Sequence, residues 1–305
     1  MKNIYSLLLL SCISIPALSQ DDLSSKLDSL VPRTIREATF KSSRIVNLQS
    51  NETVHARTLD FRIAHRFGAI GKNNGGSIHN LYGLDNSGDI SIAFEYGITE
   101  DLTMGLSRSK HNEDYEALAK YRLLKQTNDN HFPVAITLFG NIIYSDRDNP
   151  YINFDKVSTS KQTLRKVSYS TQIIIARKFS PRVSFELAPT MVHHNFVENS
   201  NDDNTLYALG FAGRVKITKS MAVIADYIYN FSDLRKPGND NDYYNALGLG
   251  LEFETGGHVF SILFTNAVSI VQEDFISDTR SSWQRGGIRF GFNISRIFRF
   301  KTASR

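Results

Sequence analysis

Cysteine is almost absent from this chain of 305 residues, which contains only Cys12. Because Cys12 lies in the apolar N-terminal stretch YSLLLLSCISIP, we expect the mature chain to contain no cysteine at all. Disulfide frameworks and cysteine-ligated metal or redox sites are thereby excluded. His65, His79, His193 and His194 are dispersed without the spacing of metal ligands, so we predict neither a metal nor a cofactor.

Long hydrophobic runs are also missing. Beyond the N-terminus no apolar run reaches 18 residues, the hydrophobic fraction is 41% and the mean hydropathy is −0.27. A helical membrane protein is therefore excluded. The net charge of +4 is spread along the chain, without a basic cluster interleaved with aromatics, so no nucleic-acid partner is expected. Tryptophan occurs once, but 13 tyrosines and 20 phenylalanines can supply the aromatic girdles of a membrane barrel.

Period-two alternation is what the sequence does contain, from about residue 57 to the C-terminus. In the last segment, for example, Phe290 and Phe292 alternate with Gly291 and Asn293. Strict alternation over such lengths is typical of strands with two unlike faces. We predict twelve strands, at 57–67, 89–96, 101–109, 115–124, 133–144, 164–178, 182–195, 205–217, 220–231, 243–254, 257–266 and 284–300. On this register an arginine at 292 would face lipid and block insertion, whereas an arginine at 293 would be tolerated.

The connections between these segments are alternately short and long. Short ones occur at 97–100 (GITE), 179–181 (FSP), 218–219 (TK) and 254–256 (ETG), with longer polar stretches between them. The exceptions are a short connection at 111–114 and a longer one at 125–132. Short periplasmic turns and long outer loops are typical of outer-membrane barrels. The pattern therefore predicts an all-β fold, a transmembrane antiparallel up-and-down β-barrel of about twelve strands over residues 57–305. A soluble β-sandwich explains the outward aromatic faces poorly.

The N-terminus has the features of an export signal. Lys2 precedes an apolar stretch, and Ala17-Leu18-Ser19 forms a small-x-small cleavage site. We predict a signal peptide at 1–19 and location in the outer membrane of a Gram-negative-type bacterium; the apolar stretch before Cys12 is too short to favour a lipoprotein. Residues 20–56 lie outside the alternating pattern. They form an N-terminal periplasmic segment that either folds into the lumen as a plug, adds a strand through Thr39–Leu48, or is a flexible leader.

The inward face of the predicted barrel carries charges of both signs. A strongly ion-selective pore needs rings of like charge, so strong selectivity is disfavoured. Twelve strands lie between barrels filled by side chains and barrels that leave a channel. Gly210, Gly213, Gly248 and Gly250 would leave one wall thin, which would either widen a path or let a plug approach closely. The candidate pore-lining residues are Arg62, Arg66, Glu95, Glu116, Lys120, Arg122, Glu186, Arg214, Asp226, Glu252 and Arg289.

Three functions follow from this barrel. The first is a passive channel for small solutes, and the second is a structural or partner-binding barrel with a salt-bridged, closed lumen. The third is a lipid hydrolase, for which His193 or His194 would serve as the base. That chemistry needs a serine within hydrogen-bond reach of the base and an oxyanion donor, and no Gly-x-Ser-x-Gly motif occurs. We therefore predict a non-enzymatic protein whose partners are outer-membrane lipid and small solutes; protein partners are left open.

Four segments resemble a known family. They are ATFKSSRIVN (38–47), LDFRIAHRFG (59–68), LYGLDNSGDISIAFEYGITEDLTMGLSRS (81–109) and KYRLLKQ (120–126). These motifs are similar to those of the membrane-bound β-barrel domain family of bacterial envelope proteins, and they cover about the first third of the mature chain. The resemblance implies an outer-membrane barrel without an assigned biochemical activity, and it carries over no catalytic or ligand-binding residues.

Overall fold

The computed structural model describes residues 38–147, 159–197, 201–235 and 243–300. Within these ranges twelve strands form one closed barrel in which every sequential pair is antiparallel, and β1 pairs with β12 to close it. The predicted fold and strand number are confirmed. The strands are β1 Thr58–Ala69, β2 Ser87–Gly97, β3 Leu102–Ser109, β4 Asp114–Leu124, β5 Ala135–Ser145, β6 Val167–Lys178, β7 Val183–His194, β8 Thr205–Lys216, β9 Met221–Asn230, β10 Leu247–Thr255, β11 His258–Thr265 and β12 Arg289–Arg299.

Within the described ranges helical structure is confined to the connections. Two short α-helices cover Thr159–Arg165 and Gln272–Ser277, and 3-10 turns cover Lys72–Asn74, Ile78–Gly83 and Asp233–Arg235. Among the described helices none combines the length and the apolar character that a membrane-spanning helix needs. The predicted signal peptide at 1–19 and residues 20–37 lie outside the described residues.

The two faces of the strands follow the alternation of the sequence. In β12, Gly291, Asn293 and Ser295 are buried inside the barrel, whereas Ile294 and Phe298 are exposed on its outer wall. Buried and exposed residues alternate in the same way along β8 and β9. One glycine of the predicted thin wall does not belong to it, because Gly213 alternates outward between the inward residues Ala212 and Arg214.

The two ends of the barrel differ in their connections. The turn end carries five connections between consecutive strands, the shortest of which is Gly256–Gly257 between β10 and β11. Both glycines have positive φ, +43° and +106°, which a two-residue hairpin turn requires at its central positions. The opposite end, here called the loop end, carries the longer connections, together with the short one at 110–113. Both ends of the strand series, Thr58 and Arg299, lie at the turn end.

Three predicted strands were too long at the loop end. β6 begins at Val167 because residues 159–165 are helical, and β12 begins at Arg289 because turns precede it, in which Gly287 N–H donates to Ser282 O at 2.7 Å. β10 begins at Leu247, since the main chain before it bonds to the β11–β12 connection instead, through Tyr244 N–H to Thr279 O at 2.9 Å. Alternation in these stretches thus continues beyond the last strand-to-strand hydrogen bond.

Candidate functional site

Residues 38–54, here called the lumen segment, fill the interior of the barrel. Phe40, Ile45, Val46 and Leu48 are each at most 2% exposed. The segment turns back on itself, with a bridge between Arg44 and Gln49, and it adds no strand to the barrel. The alternative of an extra strand through Thr39–Leu48 is therefore wrong.

One carboxylate on the wall holds the centre of the lumen segment. Asp226 of β9 accepts hydrogen bonds from the main-chain N–H groups of Val46 (3.1 Å), Asn47 (2.6 Å) and Leu48 (2.9 Å). It also accepts one from the Asn47 side chain at 2.8 Å. The carboxylate is 2% exposed, so these four donors replace its water.

Cations on the opposite wall bind the carbonyl groups of the same segment. Arg66 donates to Val46 O at 2.8 Å, and Lys120 donates to Ser43 O at 2.9 Å. Arg62 donates to Ser43 Oγ at 2.6 Å and forms an ion pair with Glu95 on the neighbouring strand. The segment therefore lies between acidic groups that bind its N–H groups and basic groups that bind its oxygens.

Glu186 of β7 repeats the arrangement nearer the turn end. It accepts a hydrogen bond from the N–H of Asn51 at 3.1 Å, while Thr137 donates to the carbonyl of the same residue at 2.9 Å. Glu186 and Thr137 are both fully buried. Bonds to main-chain atoms of this kind fix the position of the segment without depending on its side chains.

Two glycines on the wall give the segment room. A Cβ atom at Gly210 would lie 2.7 Å from Leu48 Cδ1, and one at Gly248 would lie 2.4 Å from Val46 Cγ1. Of the two alternatives for the thin wall, the structure shows the close approach of a plug. At the outward Gly213 the nearest atom to such a Cβ would be 3.9 Å away.

The connection between β11 and β12 enters the lumen from the loop end. Its residues 266–279, here called the inner loop, contain the helix Gln272–Ser277, most of whose residues are buried. Gln272 donates to Ser170 Oγ at 3.1 Å, and Asn230 donates to Ile276 O at 2.8 Å. The inner loop meets the lumen segment where the Arg44 guanidinium donates to the carbonyl of Ile270.

Burial of acidic groups in the inner loop perturbs their ionisation. Burial raises the pKa of Asp274 to about 6, although hydrogen bonds from Ser269 (3.0 Å) and Asn112 (2.9 Å) oppose the shift. Burial also raises the pKa of Glu273 well above its usual range, and the nearby charge of Glu116 adds to the effect. Both shifts favour the protonated carboxyl groups in the folded loop, so its stability should fall as the pH rises.

An apolar cluster joins the two insertions to the wall. Phe40, Ile45, Val46 and Leu48 of the lumen segment pack in one cluster with inner-loop residues and with apolar residues of β6 to β9 and β11. The inner-loop members are Ala267, Phe275 and Ile276. Between the insertions and strands β1 to β4 there is a cavity of about 10 Å³, room for about one water molecule. The lumen segment, which enters from the turn end, and the inner loop, which enters from the loop end, together fill this part of the lumen.

The turn end retains a larger polar cavity of about 260 Å³, lined by Glu52, His55, Glu100, Arg122 and Lys125 among others. Arg122 lies 3.5 Å from the Glu52 carboxylate of the lumen segment. A hydrogen bond of 2.9 Å between Glu100 Oε2 and His55 Nδ1 lowers the pKa of Glu100. This cavity is the mouth through which the chain enters the lumen.

The predicted pore-lining residues fall into separate groups. Seven contact the lumen segment, either directly or, in the case of Glu95, through the ion pair with Arg62. They are Arg62, Arg66, Glu95, Lys120, Arg122, Glu186 and Asp226. Arg214 and Glu252 bond to each other at 2.8 Å, and Glu116 accepts from Ser107 (2.6 Å) and Asn141 (2.7 Å). Arg289 is half-buried near the loop end, where it donates to Phe67 O at 3.4 Å. The sequence reasoning missed Ser43, Asn47 and the whole inner loop.

The two histidines of the hydrolase hypothesis lie on opposite faces of the barrel wall. His193 stacks on Tyr169 on the outer face and bonds to Thr205 Oγ1 at 2.8 Å, whereas His194 points inward and pairs in register with Ser168. Ser170 donates to Asn141 at 2.6 Å. In the described ranges no serine hydroxyl bonds to a histidine ring, and no group of three potential metal ligands occurs.

The chain has limited similarity to solved structures. No curated protein matches the sequence. Among solved structures, the NanC porin aligns over 80% of this chain and 100% of its own, with a TM-score of 0.46 and 9% identity. The KdgM porin aligns over 80% and 99%, with a TM-score of 0.45 and 8% identity. Outer membrane phospholipase A from Escherichia coli aligns over 85% and 95%, with a TM-score of 0.42 and 12% identity.

A family model covers nearly the whole barrel. The model described as "Membrane bound beta barrel domain (DUF5777)" matches residues 40–298. The match starts inside the lumen segment and ends in β12, so it includes both insertions as well as the wall. The chain therefore belongs to this family of membrane-bound β-barrel domains.

Proposed function

We propose that this protein is an outer-membrane channel for small polar solutes that is closed at rest by the lumen segment. One observation carries the proposal: Asp226, Arg66, Lys120 and Glu186 bond to main-chain atoms of that segment and not to one another. When the segment leaves, these ionic groups become the hydrated lining of a path. A wall whose charges paired only with neighbouring strands would have no such lining to expose.

The packing of the segment sets the resting state. Burial of Phe40, Ile45, Val46 and Leu48 stabilises the docked segment by roughly 6–12 kcal/mol, taking about 1.5–3 kcal/mol for each side chain. The conformational entropy lost when the main chain is ordered opposes this contribution, and the hydrogen bonds to the wall add to it, so in this proposal the docked state is the resting state. The channel therefore needs an outside input, such as a partner or a force acting from the turn end.

A reducible tether tests the proposal. The pair Val46→Cys and Gly248→Cys joins the segment to the wall, because a Cβ at 248 lies 2.4 Å from Val46 Cγ1, the position that a cysteine sulfur at 46 can occupy. In planar bilayers we expect silence from the wild type at rest and conductance after mild urea undocks the segment. The oxidised tethered variant should stay silent under the same urea and conduct once reduced, while Gly248→Cys alone should behave identically with and without reductant.

A deletion provides the complementary measurement. A chain without residues 20–54 should conduct at rest, provided that it retains the heat-modifiable gel migration of a folded barrel. If folded wild type and folded deletion are both silent, the closed-lumen barrel is correct and the channel is not. Conductance of the oxidised tethered form in urea would mean that the path bypasses the lumen segment.

The wall charges then predict selectivity. Arg62 and Lys120 line the opened path together with Glu186 and Asp226, so the lining is mixed and weakly selective. In the deletion background, Arg62→Gln combined with Lys120→Gln should shift the preference towards cations by roughly a few-fold, as expected when charge rings set selectivity. Arg108→Gln offers a control, because Arg108 lies over the ring of Tyr115 on the outer wall and not in the lumen.

The closed-lumen barrel has one observation in its favour. The apolar cluster contains residues of both the lumen segment and the inner loop. Undocking of the lumen segment would therefore expose apolar surface of the inner loop. This arrangement stabilises a solid interior. Silence of both folded forms in the bilayer experiment is its expected result.

A further inference from the structure

Wall side chains bind main-chain atoms along the whole lumen segment. Besides the contacts described above, Thr103 of β3 accepts a hydrogen bond from the N–H of Val54 at 2.8 Å, and Lys178 of β6 donates to the carbonyl of Ala38 at 3.2 Å. The side chains that bind the main chain of the segment therefore lie on strands β1, β3 to β7 and β9. Such contacts surround the segment on most sides.

One residue of the segment bridges a pair of wall groups. Val46 donates its N–H to Asp226 at 3.1 Å and accepts at its carbonyl from Arg66 at 2.8 Å. The acceptor and the donor are therefore spaced for the N–H and C=O of a single residue, a unit that every peptide repeats. Gly248 leaves room for the side chain of that residue, because a Cβ at 248 would lie 2.4 Å from Val46 Cγ1.

A second pair of wall groups repeats this arrangement five residues further along the segment. Asn51 donates its N–H to Glu186 at 3.1 Å and accepts at its carbonyl from Thr137 at 2.9 Å. Both wall groups are fully buried, so the main chain of the segment takes the place of water around them. Two such pairs in one lumen indicate a wall that recognises the peptide main chain and not one particular side chain.

The signs of the wall charges decide which solute fits this wall. An anion would leave the carboxylates of Asp226 and Glu186 without donors, and a cation would leave Arg66 and Lys120 without acceptors. A buried charge whose partner is missing is costly. A peptide carries both a donor and an acceptor on each residue other than proline, so it satisfies the acidic and the basic groups at the same time.

We infer that the wall vacated by the lumen segment is a binding surface for the main chain of short peptides, and that short peptides are the solutes of the proposed channel. The statement about solutes rests on the proposed function, whereas the statement about binding stands on the wall contacts alone. The lumen segment occupies the surface as a peptide that belongs to the protein itself. A peptide from outside therefore competes with it.

Competition in the full chain tests the binding surface. With Val46→Cys in a Cys12→Ser background, a membrane-impermeant maleimide reacts only when the segment undocks, because position 46 is fully buried. The probe is the blocked tetrapeptide acetyl-Ala-Val-Asn-Ala-amide, and its control is N-methylated at the last three residues, which removes the donors for Asp226. At about 10 mM the probe should accelerate labelling roughly ten-fold for a Kd of about 1 mM, since bound peptide keeps the segment undocked. The N-methylated control should leave the rate unchanged.

A matched pair of variants assigns the effect to the wall. Asp226→Ala and Phe40→Ala both loosen the segment, the first by removing the acceptor of three N–H groups and the second by removing a buried ring. The probe should accelerate labelling of Phe40→Ala as strongly as that of the parent, and it should leave the rate of Asp226→Ala unchanged. Equal acceleration of the two variants, or by the probe and its N-methylated control, would overturn the binding surface.

Passage is tested separately with the tethered variant, Val46→Cys with Gly248→Cys. In proteoliposomes at the mild urea concentration of the bilayer experiment, radiolabelled probe should enter several-fold faster through the reduced form than through the oxidised form. If the reduced form conducts ions but excludes the probe, the channel stands and peptides are not its solutes. If the probe accelerates labelling but the reduced form is silent in bilayers, the wall binds peptides and the proposed channel is wrong.

Discussion

Removal of the Asp226 carboxylate should release the lumen segment while the barrel remains folded. In Asp226→Ala the N–H groups of Val46, Asn47 and Leu48 lose their acceptor at once, and so does the Asn47 amide. Breaking one side of a buried charged contact costs about 3–5 kcal/mol, because the remaining groups stay buried and unsatisfied. The undocked population should therefore rise by a factor of roughly 150 to 5,000.

Thiol labelling measures this population directly. Val46→Cys in a Cys12→Ser background places the one cysteine of the chain at a position that is fully buried. A membrane-impermeant maleimide reacts with it only when the segment undocks, so the labelling rate reports the undocked fraction. Asp226→Asn, which keeps one acceptor oxygen, should give a rate between those of the parent and Asp226→Ala.

A second buried aspartate provides the control. Asp60 is 3% exposed, but its carboxylate accepts from Ser295 on the neighbouring strand and not from the segment. Asp60→Ala should lower barrel stability with little change in the labelling rate. Equal labelling of Asp226→Ala and its parent, with both barrels folded, would show that the Asp226 contacts do not hold the segment.

Two further predictions concern the register and the inner loop. Phe292→Arg should lower the free energy of insertion by about 2–4 kcal/mol in urea titrations with lipid vesicles, whereas Asn293→Asp should be tolerated because Arg66 donates to the side chain at 293 at 3.2 Å. An arginine at 293, which alternation alone would allow, meets Arg66 in a filled lumen. Equal losses for Phe292→Arg and Asn293→Asp would refute the register. The raised pKa of Asp274, about 6, favours the protonated form in the folded state, so the contribution of Asp274 to inner-loop stability should be full below about pH 4 and fall as pH rises through about 6. Hydrogen exchange of the loop should show this slope. Asp274→Asn should reduce the slope and leave the contribution of Glu273, whose pKa is also raised, and an unchanged slope in that variant would assign it to another group.

The wall of the barrel could be predicted from the sequence because its signal is local. Phe290, Phe292 and their neighbours alternate within one strand, and the burial that they predict is decided by that strand alone. The same alternation placed Arg62, Lys120 and Glu186 on the inward face without any knowledge of their partners. The predicted positions of the strand ends were less accurate, since alternation does not show where the hydrogen bonds between neighbouring strands stop.

The filling of the lumen could not be predicted in the same way. Its decisive bonds use main-chain atoms of Val46, Asn47 and Leu48, which every sequence possesses, and the partner Asp226 is about 180 residues distant. The inner loop did leave a trace, since Phe275 and Ile276 are apolar residues in a connection that would otherwise be solvated. Gly210 and Gly248 were a second indication. From the sequence alone they are compatible with either a wider path through the lumen or close contact with a plug.

The distance along the chain between Val46 and Asp226 also fixes an order of assembly. The lumen segment precedes β1, yet its binding groups lie on strands throughout the barrel, including β9. Its docking site is complete only after those strands have paired, so the first part of the described chain is the last to find its place. Until the segment docks, the side chains of Arg66, Glu186 and Asp226 remain hydrated. Their dehydration therefore occurs in this docking step and not during membrane insertion. Refolding monitored by circular dichroism should accordingly show the far-ultraviolet signal of strand formation before the near-ultraviolet signal of a rigidly packed lumen.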